Sequence, residues 1–363
     1  MTQPDYLAAR DLDSRAWKRG PMTRTIRTGD DVLDERLESL AHECCGKHDK
    51  VTVKQMLTHV VRAASSKIEE HDLEMMNRTI HEMLAAEEMF LPYRNIRKIS
   101  CFGSARTKEN DPRYRMAQKF SRNASERGYM VITGGGPGIM QACNEGATEH
   151  CSFGLNITLP FEQHANHVIE HSEKMMNFYY FFTRKLNFLK QTDALVAFPG
   201  GFGTMDEVYE SITLMQTGKA SLFPIVLLDP PGDTFWERWM EFVRIELTEA
   251  GLISPEDMSL IYMSKSPEDA LAHIEHFYDV FHSYYFRGEA ITIRLNRHLH
   301  EDTLAQLREN FCDLMPHQDM LHLAHGGSDD PEPLLAALPR ISFSLKRGNY
   351  ARLRMLIDVI NND

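Results

Sequence analysis

The residues best suited to chemistry lie in the stretch Phe198-Pro-Gly-Gly-Phe-Gly-Thr-Met-Asp-Glu207. The apolar run 194–198 is typical of a buried parallel strand, and the residues after the stretch have the apolar spacing of a helix. A glycine turn at a helix start lets the backbone approach a ligand, and the free N–H groups there attract an anion, most often a phosphate. The residues predicted to bind that phosphate are Gly200, Gly201, Gly203 and Thr204, with Thr204 as the helix N-cap.

Two acidic residues, Asp206 and Glu207, lie in the first turn of the predicted helix. Acidic side chains at this position stabilise a helix through its dipole, so both residues could be purely structural. A carboxylate beside a bound phosphate is nevertheless electrostatically unfavourable. The alternative interpretation is that one of the two carboxylates takes part in a reaction.

A second glycine turn, Gly134-Gly-Gly-Pro-Gly138, lies between a predicted strand at 129–133 and a predicted helix at 139–149. It has neither the Gly-Lys-Ser/Thr of a Walker loop nor the spacing of a dinucleotide fingerprint. It still offers a second site for a phosphate at a helix start, with predicted contacts from Gly134, Gly135, Gly136 and Gly138. Two such turns and an acid suggest a nucleotide that is bound for chemistry rather than for storage.

Both glycine stretches resemble the paired signatures of the LOG (Lonely Guy) family, whose members have often been labelled possible lysine decarboxylases. The matching residues are Gly134-Gly-Gly-Pro-Gly-Ile-Met140, Pro199-Gly-Gly-Phe-Gly-Thr-Met-Asp-Glu207 and Phe182-Thr-Arg-Lys185, the last at the place where the family carries an Arg-Lys pair. The resemblance covers about residues 95–280. It implies a Rossmann-like fold and an enzyme that hydrolyses the N-glycosidic bond of nucleoside 5′-monophosphates to free base and ribose 5-phosphate.

The chemistry implied by this resemblance requires a carboxylate. Breaking the N-glycosidic bond passes through an oxocarbenium-like sugar, which a nearby carboxylate stabilises directly or by activating water. The resemblance implies that Glu207 is this carboxylate and that Arg184 is the second catalytic residue; without it, Arg184 and Lys185 would more often be a solvated basic pair. The further predicted substrate contacts are Ser104, which could equally be a turn cap, Lys185, Asp206 and Glu162, the last because family members often carry an acid after the corresponding strand.

The bulk composition is that of an ordinary soluble globular protein, with 42% hydrophobic and 25% charged residues. The formal charge of −12 argues against nucleic acid or an anionic membrane as the main partner. The N-terminus lacks an apolar signal region, and the six cysteines have no zinc-binding spacing, so we expect free thiols in a reducing cytoplasm. No motif requires a metal or a cofactor.

Repeated alternation of strand and helix patterns predicts an α/β fold with a Rossmann-like, doubly wound parallel sheet. We predict three regions from the positions of these patterns. Residues 1–95 form a helical N-terminal extension, residues 96–282 form the Rossmann-like core, and residues 283–363 form a small α+β appendage.

Three functional classes remain open from the sequence. The first is a hydrolase of AMP or a related nucleotide, with cytokinin riboside 5′-monophosphate as the alternative substrate. Plant members that activate cytokinins usually carry Met-His before the Arg-Lys pair, whereas this chain has Phe182-Thr183. The second class is a non-catalytic nucleotide sensor or carrier. The third class, a lysine decarboxylase, would require a lysine that binds pyridoxal phosphate, and no motif for such a lysine is present.

The resemblance also implies a homo-oligomer, either a dimer or a multiple of dimers. The aromatic run Phe178-Tyr-Tyr-Phe-Phe182 is the predicted shared surface, because aromatic residues are enriched at interface cores. The same rings could instead fill the core of the monomer.

Overall fold

The computed structural model describes residues 26–46, 48–159, 164–315, 321–323, 330–346 and 348–363. These residues fall into two compact units, which meet in the chain between Ala85 and Ala86. In this described part, no helix is both long and apolar enough to cross a membrane. The division into three regions stays a prediction.

The unit before Ala86 is helical, as the sequence predicts. It contains α1 (Asp31–Cys44), α2 (Lys50–Ser65) and most of α3 (Glu70–Phe90). The Asp30 carboxylate accepts hydrogen bonds from the first-turn N–H groups of α1, and Asp49 does the same for α2. Both α1 and α2 therefore begin at an acidic N-cap.

The second unit is built on a parallel sheet with the strand order β4-β3-β2-β1-β5-β6-β7, which confirms the predicted doubly wound α/β fold. Neighbouring residues of one strand face opposite sides of this sheet. Val131 packs in the apolar cluster on one face and Ile132 in the cluster on the other. The strands are β1 (Lys98–Phe102), β2 (Met130–Thr133), β3 (Ser152–Ile157), β4 (Met175–Phe178), β5 (Ala194–Ala197), β6 (Ile225–Leu228) and β7 (Ile261–Ser264).

The helices that cover this sheet connect its parallel strands, except for the last, which follows β7. They are α4 (Pro112–Glu126), α5 (Ile139–Ala147), α6 (Phe181–Gln191), α7 (Phe202–Gln216), α8 (Phe235–Phe242) and α9 (Pro267–Phe277). After β1 the chain builds outward through β2, β3 and β4, and then returns to place β5 on the other side of β1. This reversal between β1 and β5 is the point at which open α/β sheets bind ligands.

The predicted α+β appendage is confirmed as an antiparallel sheet with the order β10-β11-β9-β8 and two helices. Its strands are β8 (Phe281–Arg287), β9 (Ala290–Leu295), β10 (Leu321–Leu323) and β11 (Arg340–Ser344), and its helices are α10 (Glu301–Asn310) and α11 (Tyr350–Asn361). Gly218, just after α7, has a φ of +66° and lies directly against the ring of Tyr350 on α11. The appendage therefore packs against the end of α7, the helix that carries Glu207.

Candidate active site

A cleft of about 630 Å³ lies at the carboxyl ends of β3, β2, β1 and β5. It coincides with the reversal of strand order, where the fold favours a ligand. The predicted site residues that line it are Ser104, Gly134, Arg184, Gly201, Gly203, Thr204, Asp206 and Glu207. The structure therefore brings both predicted catalytic residues into one cavity.

The start of α7 forms one wall of this cleft, and its N-cap is Gly201. The prediction that Thr204 is the N-cap is wrong, because the helix already begins at Phe202 and the Gly201 carbonyl accepts from the Met205 N–H at 3.1 Å. The first-turn N–H groups of Phe202, Gly203 and Thr204 have no acceptor among the described residues. They remain available to an anion in the cleft.

The loop after β1 ties the two glycine turns together through the backbone of Ser104. Its N–H donates to the Pro199 carbonyl at 3.2 Å, and its carbonyl accepts from the Ile139 N–H at 3.0 Å. A Cβ atom at Gly138 would lie 2.4 Å from the Ser104 carbonyl oxygen, and a Cβ atom at Gly200 would lie 2.1 Å from Thr204 Oγ1 and 3.0 Å from the Ser104 nitrogen. Neither glycine is among the residues that line the cleft, so the structure explains Gly138 by close backbone packing and Gly200 mainly by the Thr204 side chain.

The glycine turn at 134–138 presents Gly134 to the cleft, and buried polar side chains hold the turn in place. The Gly135 N–H donates to Thr133 Oγ1 at 3.0 Å. Asn166 Nδ2 donates to the Gly135 and Gly136 carbonyls at 3.0 and 3.1 Å. The predicted phosphate contacts of Gly135 and Gly136 are therefore not supported by their position, since neither lines the cleft. Sequence reasoning missed Asn166, which lies in no recognisable motif.

Arg184 projects into the cleft from the first turn of α6. Its Nε atom donates to the Leu155 carbonyl on β3 at 2.7 Å, and its guanidinium lies over the Phe188 ring at 5.1 Å. A Cβ atom at Gly134 would be 2.7 Å from Nη2 of this arginine, so the glycine makes room for the guanidinium. Burial lowers the pKa of Arg184, and the charge of Glu207 partly offsets that effect.

Glu207 is 6% exposed and lies in the second turn of α7. Burial raises the pKa of its carboxyl group to about 7, against the opposing influence of Arg184 and Lys185. In the described part of the chain, no hydrogen bond or ion pair to this carboxylate is present to stabilise its charge. A buried carboxylic acid with a pKa near neutrality can both accept and donate a proton at physiological pH.

Lys185 lies on α6 outside the cleft, and its side chain reaches α7. Its ammonium group is 2.8 Å from a carboxylate oxygen of Asp206 and 2.8 Å from one of Glu210. Burial is the largest single influence and acts to lower the pKa of Lys185, but the carboxylates around it together raise the pKa above its ordinary value. The lysine thus joins the two helices that carry Arg184 and Glu207, and its contact with a phosphate stays a prediction.

Several cleft residues were missed by the sequence reasoning. They are Phe102, Gly103, Ala105, Arg106, Met140, Ile157, Leu159, Phe181 and Phe202. Their only sequence signal is proximity to the glycine turns and strand ends. Glu162 lies outside the described residues. Among the described residues, no group of three or more His, Cys, Asp or Glu side chains is placed to hold a metal ion.

Comparison with known proteins supports the motif assignment. The family model described as "Possible lysine decarboxylase" matches residues 140–274. A cytokinin riboside 5′-monophosphate phosphoribohydrolase of Arabidopsis thaliana is 32% identical over 94 residues, which are 26% of this chain and 42% of that protein. A probable enzyme of the same name from Oryza sativa subsp. japonica is 31% identical over 94 residues, covering 26% and 43% of the two chains. The resemblance to the LOG family is confirmed.

The match has a limited extent, since the chain spans less than half the length of these curated LOG relatives. Among solved structures, the molybdenum cofactor carrier protein of Chlamydomonas reinhardtii has a TM-score of 0.35 and 21% identity, over 49% of this chain and 96% of that chain. The molybdenum cofactor binding protein of Rippkaea orientalis has a TM-score of 0.34 and 17% identity, over 49% and 93%. Likeness at this level has no bearing on ligand or activity.

Proposed function

We propose that this protein is a nucleoside 5′-monophosphate phosphoribohydrolase that acts on AMP or a related nucleotide. The observation that supports this most is the placement of Glu207 and Arg184 in one cleft, beside a helix start with free N–H groups. A phosphate at the start of α7 would place the attached ribose near Glu207. The products would be the free base and ribose 5-phosphate.

The proposed reaction breaks the bond between C1′ of the ribose and a nitrogen of the base. The Glu207 carboxylate stabilises the oxocarbenium-like sugar and takes a proton from the water whose oxygen bonds to C1′. The electron pair of the broken bond leaves with the base, which gains a proton from the solvent, while Glu207 returns its proton to the solvent. Arg184, held by the Leu155 carbonyl, stabilises the charge that develops on the departing base.

The direct test is to incubate the purified protein separately with AMP, GMP, CMP, UMP, a cytokinin riboside 5′-monophosphate and lysine. Base and ribose 5-phosphate are the expected products from at least one common nucleotide. Exclusive cleavage of the cytokinin nucleotide would favour the alternative that the curated relatives suggest. Cadaverine from lysine, or nucleotide binding without turnover, would contradict the proposal.

The substrate is expected to require its 5′-phosphate. The free N–H groups of Phe202, Gly203 and Thr204 would hold this anion, and the binding energy would orient the distant glycosidic bond. Release of adenine from AMP should therefore be at least ~100-fold more efficient, by kcat/KM, than release from adenosine. Equal efficiency with the two compounds would rule out a phosphate site at α7.

The protein is also expected to form a homodimer or a multiple of dimers. In the aromatic run, Phe178 is buried, whereas Tyr179 is about half exposed, so the run both fills the core and offers apolar surface. Light scattering at micromolar concentration should give a mass at least twice that of the 41.8 kDa chain. A fully active monomer would contradict this prediction.

A further inference from the structure

We propose that Phe181 forms the stacking face of a nucleobase subsite within the cleft. The inference deepens the proposed function and rests on it, since it assigns the part of the ligand that the sugar and phosphate contacts leave unassigned. A purine or pyrimidine ring would lie against the aromatic ring of Phe181.

The first support is that, within the aromatic run 178–182, Phe181 has different surroundings from its neighbours. Tyr180 and Phe182 stack on each other, with ring centroids 5.5 Å apart and planes inclined by 20°. Phe181 lies between them in sequence, yet it is the member of the run that lines the cleft. Its side chain has no aromatic partner among the described residues, and the residue is 53% exposed. An exposed ring on a cleft wall is a surface on which a planar ligand can stack.

The second support is helical spacing. Phe181 is the first residue of α6, and Arg184 follows three positions later, so both side chains lie on the same face of this helix. Arg184 is fixed by its bond to the Leu155 carbonyl. A ligand that places its glycosidic bond beside Arg184 therefore directs its base along α6 toward Phe181.

The third support is the polarity of the cleft around this ring. Ile157 and Leu159, at the end of β3, line the same cavity as Phe181. The polar groups suited to a phosphate lie instead at the start of α7. A site with an anion-binding end and an apolar, aromatic end matches the two ends of a nucleotide.

Phe202 is the competing aromatic residue. It is 96% exposed and also lines the cleft, but it occupies the first position of α7. That position is at the helix end whose free N–H groups would hold the phosphate. The geometry therefore favours Phe181 for the base, and the experiment must be able to distinguish the two rings.

The experiment is calorimetric titration of two probes, AMP and ribose 5-phosphate, into the full-length chain. The parent protein carries Glu207→Gln, so that AMP is not consumed during the titration. Adding Phe181→Ala should weaken AMP binding by about 10-fold, within the range measured for loss of base stacking on an aromatic residue. Binding of ribose 5-phosphate should be almost unchanged, and Phe181→Tyr should retain most of the affinity for AMP.

Phe182→Ala is the matched control, because Phe182 is the next residue of α6 and is similarly exposed but does not line the cleft. It should leave the affinity for both probes unchanged. Equal losses for AMP and ribose 5-phosphate in Phe181→Ala would overturn the base subsite, as would an AMP-specific loss in Phe202→Ala but not in Phe181→Ala. Selective AMP binding through Phe181 without hydrolysis by the wild-type protein would support the subsite and contradict the proposed function. Failure of the parent to bind either probe would contradict both.

Discussion

Glu207→Gln is expected to reduce the turnover of AMP by at least ~100-fold, the scale of a positioned catalytic group. The substitution keeps the shape of the side chain and removes the carboxylate that the proposed reaction requires. In the wild-type protein, kcat/KM should rise with pH below about 7 and level off above it, because the pKa of Glu207 is about 7 and the carboxylate is the reactive form. The residual activity of Glu207→Gln should lack this step. Turnover close to that of the wild type would remove Glu207 from the mechanism.

Glu210→Gln is the matched control for this substitution. Glu210 lies on the same helix, pairs with Lys185 at 2.8 Å and does not line the cleft. Its replacement should change turnover little. A large loss in both variants would indicate that the charge balance of α7, and not the Glu207 carboxylate itself, controls the activity.

Thermal unfolding separates lost chemistry from lost structure in Glu207→Gln. The pKa of Glu207 rises from its usual value of 4.5 to about 7 in the folded protein. Between these pH values the folded protein binds a proton that the unfolded chain releases, so folding stability falls as the pH rises through this window. Glutamine avoids the cost of burying a charge. At about pH 8 the variant should therefore unfold at a higher temperature than the wild-type protein.

The fold could be predicted where local sequence patterns determine the elements. The apolar runs of β1, β2 and β5 and the glycine turns that follow β2 and β5 are recognisable without tertiary information. The strand β4 was missed because it lies at the edge of the sheet and is only partly buried, so its residues need no continuous apolar pattern. The strand β8 was also missed, because its His282 and Ser283 interrupt the alternation of apolar residues.

In the candidate site, too, the sequence does not reveal which tertiary contact requires a given residue. Sequence marks a glycine as unusual, but it does not say whether a ligand, a backbone contact or a side chain requires it. Gly138 makes room for the loop at Ser104, Gly200 makes room mainly for the Thr204 side chain, and Gly134 makes room for Arg184 and Met140. The hydrogen bonds from Asn166 to the glycine turn at 134–138 join residues that are about 30 positions apart, which no periodic pattern encodes. Such long-range polar contacts follow from the tertiary fold alone.

Arg184→Ala is expected to reduce turnover by at least ~100-fold, because the proposed mechanism loses the group that stabilises charge on the departing base. Arg184→Lys should recover little of this activity. A lysine keeps the positive charge, but its single ammonium cannot donate to the Leu155 carbonyl in the arginine geometry and also present further donors to the ligand. Single-turnover measurements with saturating AMP would show whether the loss is in the chemical step.

Two further variants decide whether Arg184 acts through its position in the cleft. In Gly134→Ala the new Cβ atom would be 2.7 Å from both Nη2 of Arg184 and Sδ of Met140, so both side chains must move and turnover should fall although the arginine is still present. Lys190→Ala is the control, because Lys190 lies on the same helix but pairs with Glu87 outside the cleft. If Arg184→Ala and Lys190→Ala reduced turnover equally, the effect would belong to the stability of α6. A loss in Arg184→Ala and Gly134→Ala but not in Lys190→Ala would support a requirement for the guanidinium, which the first change removes and the second displaces together with Met140.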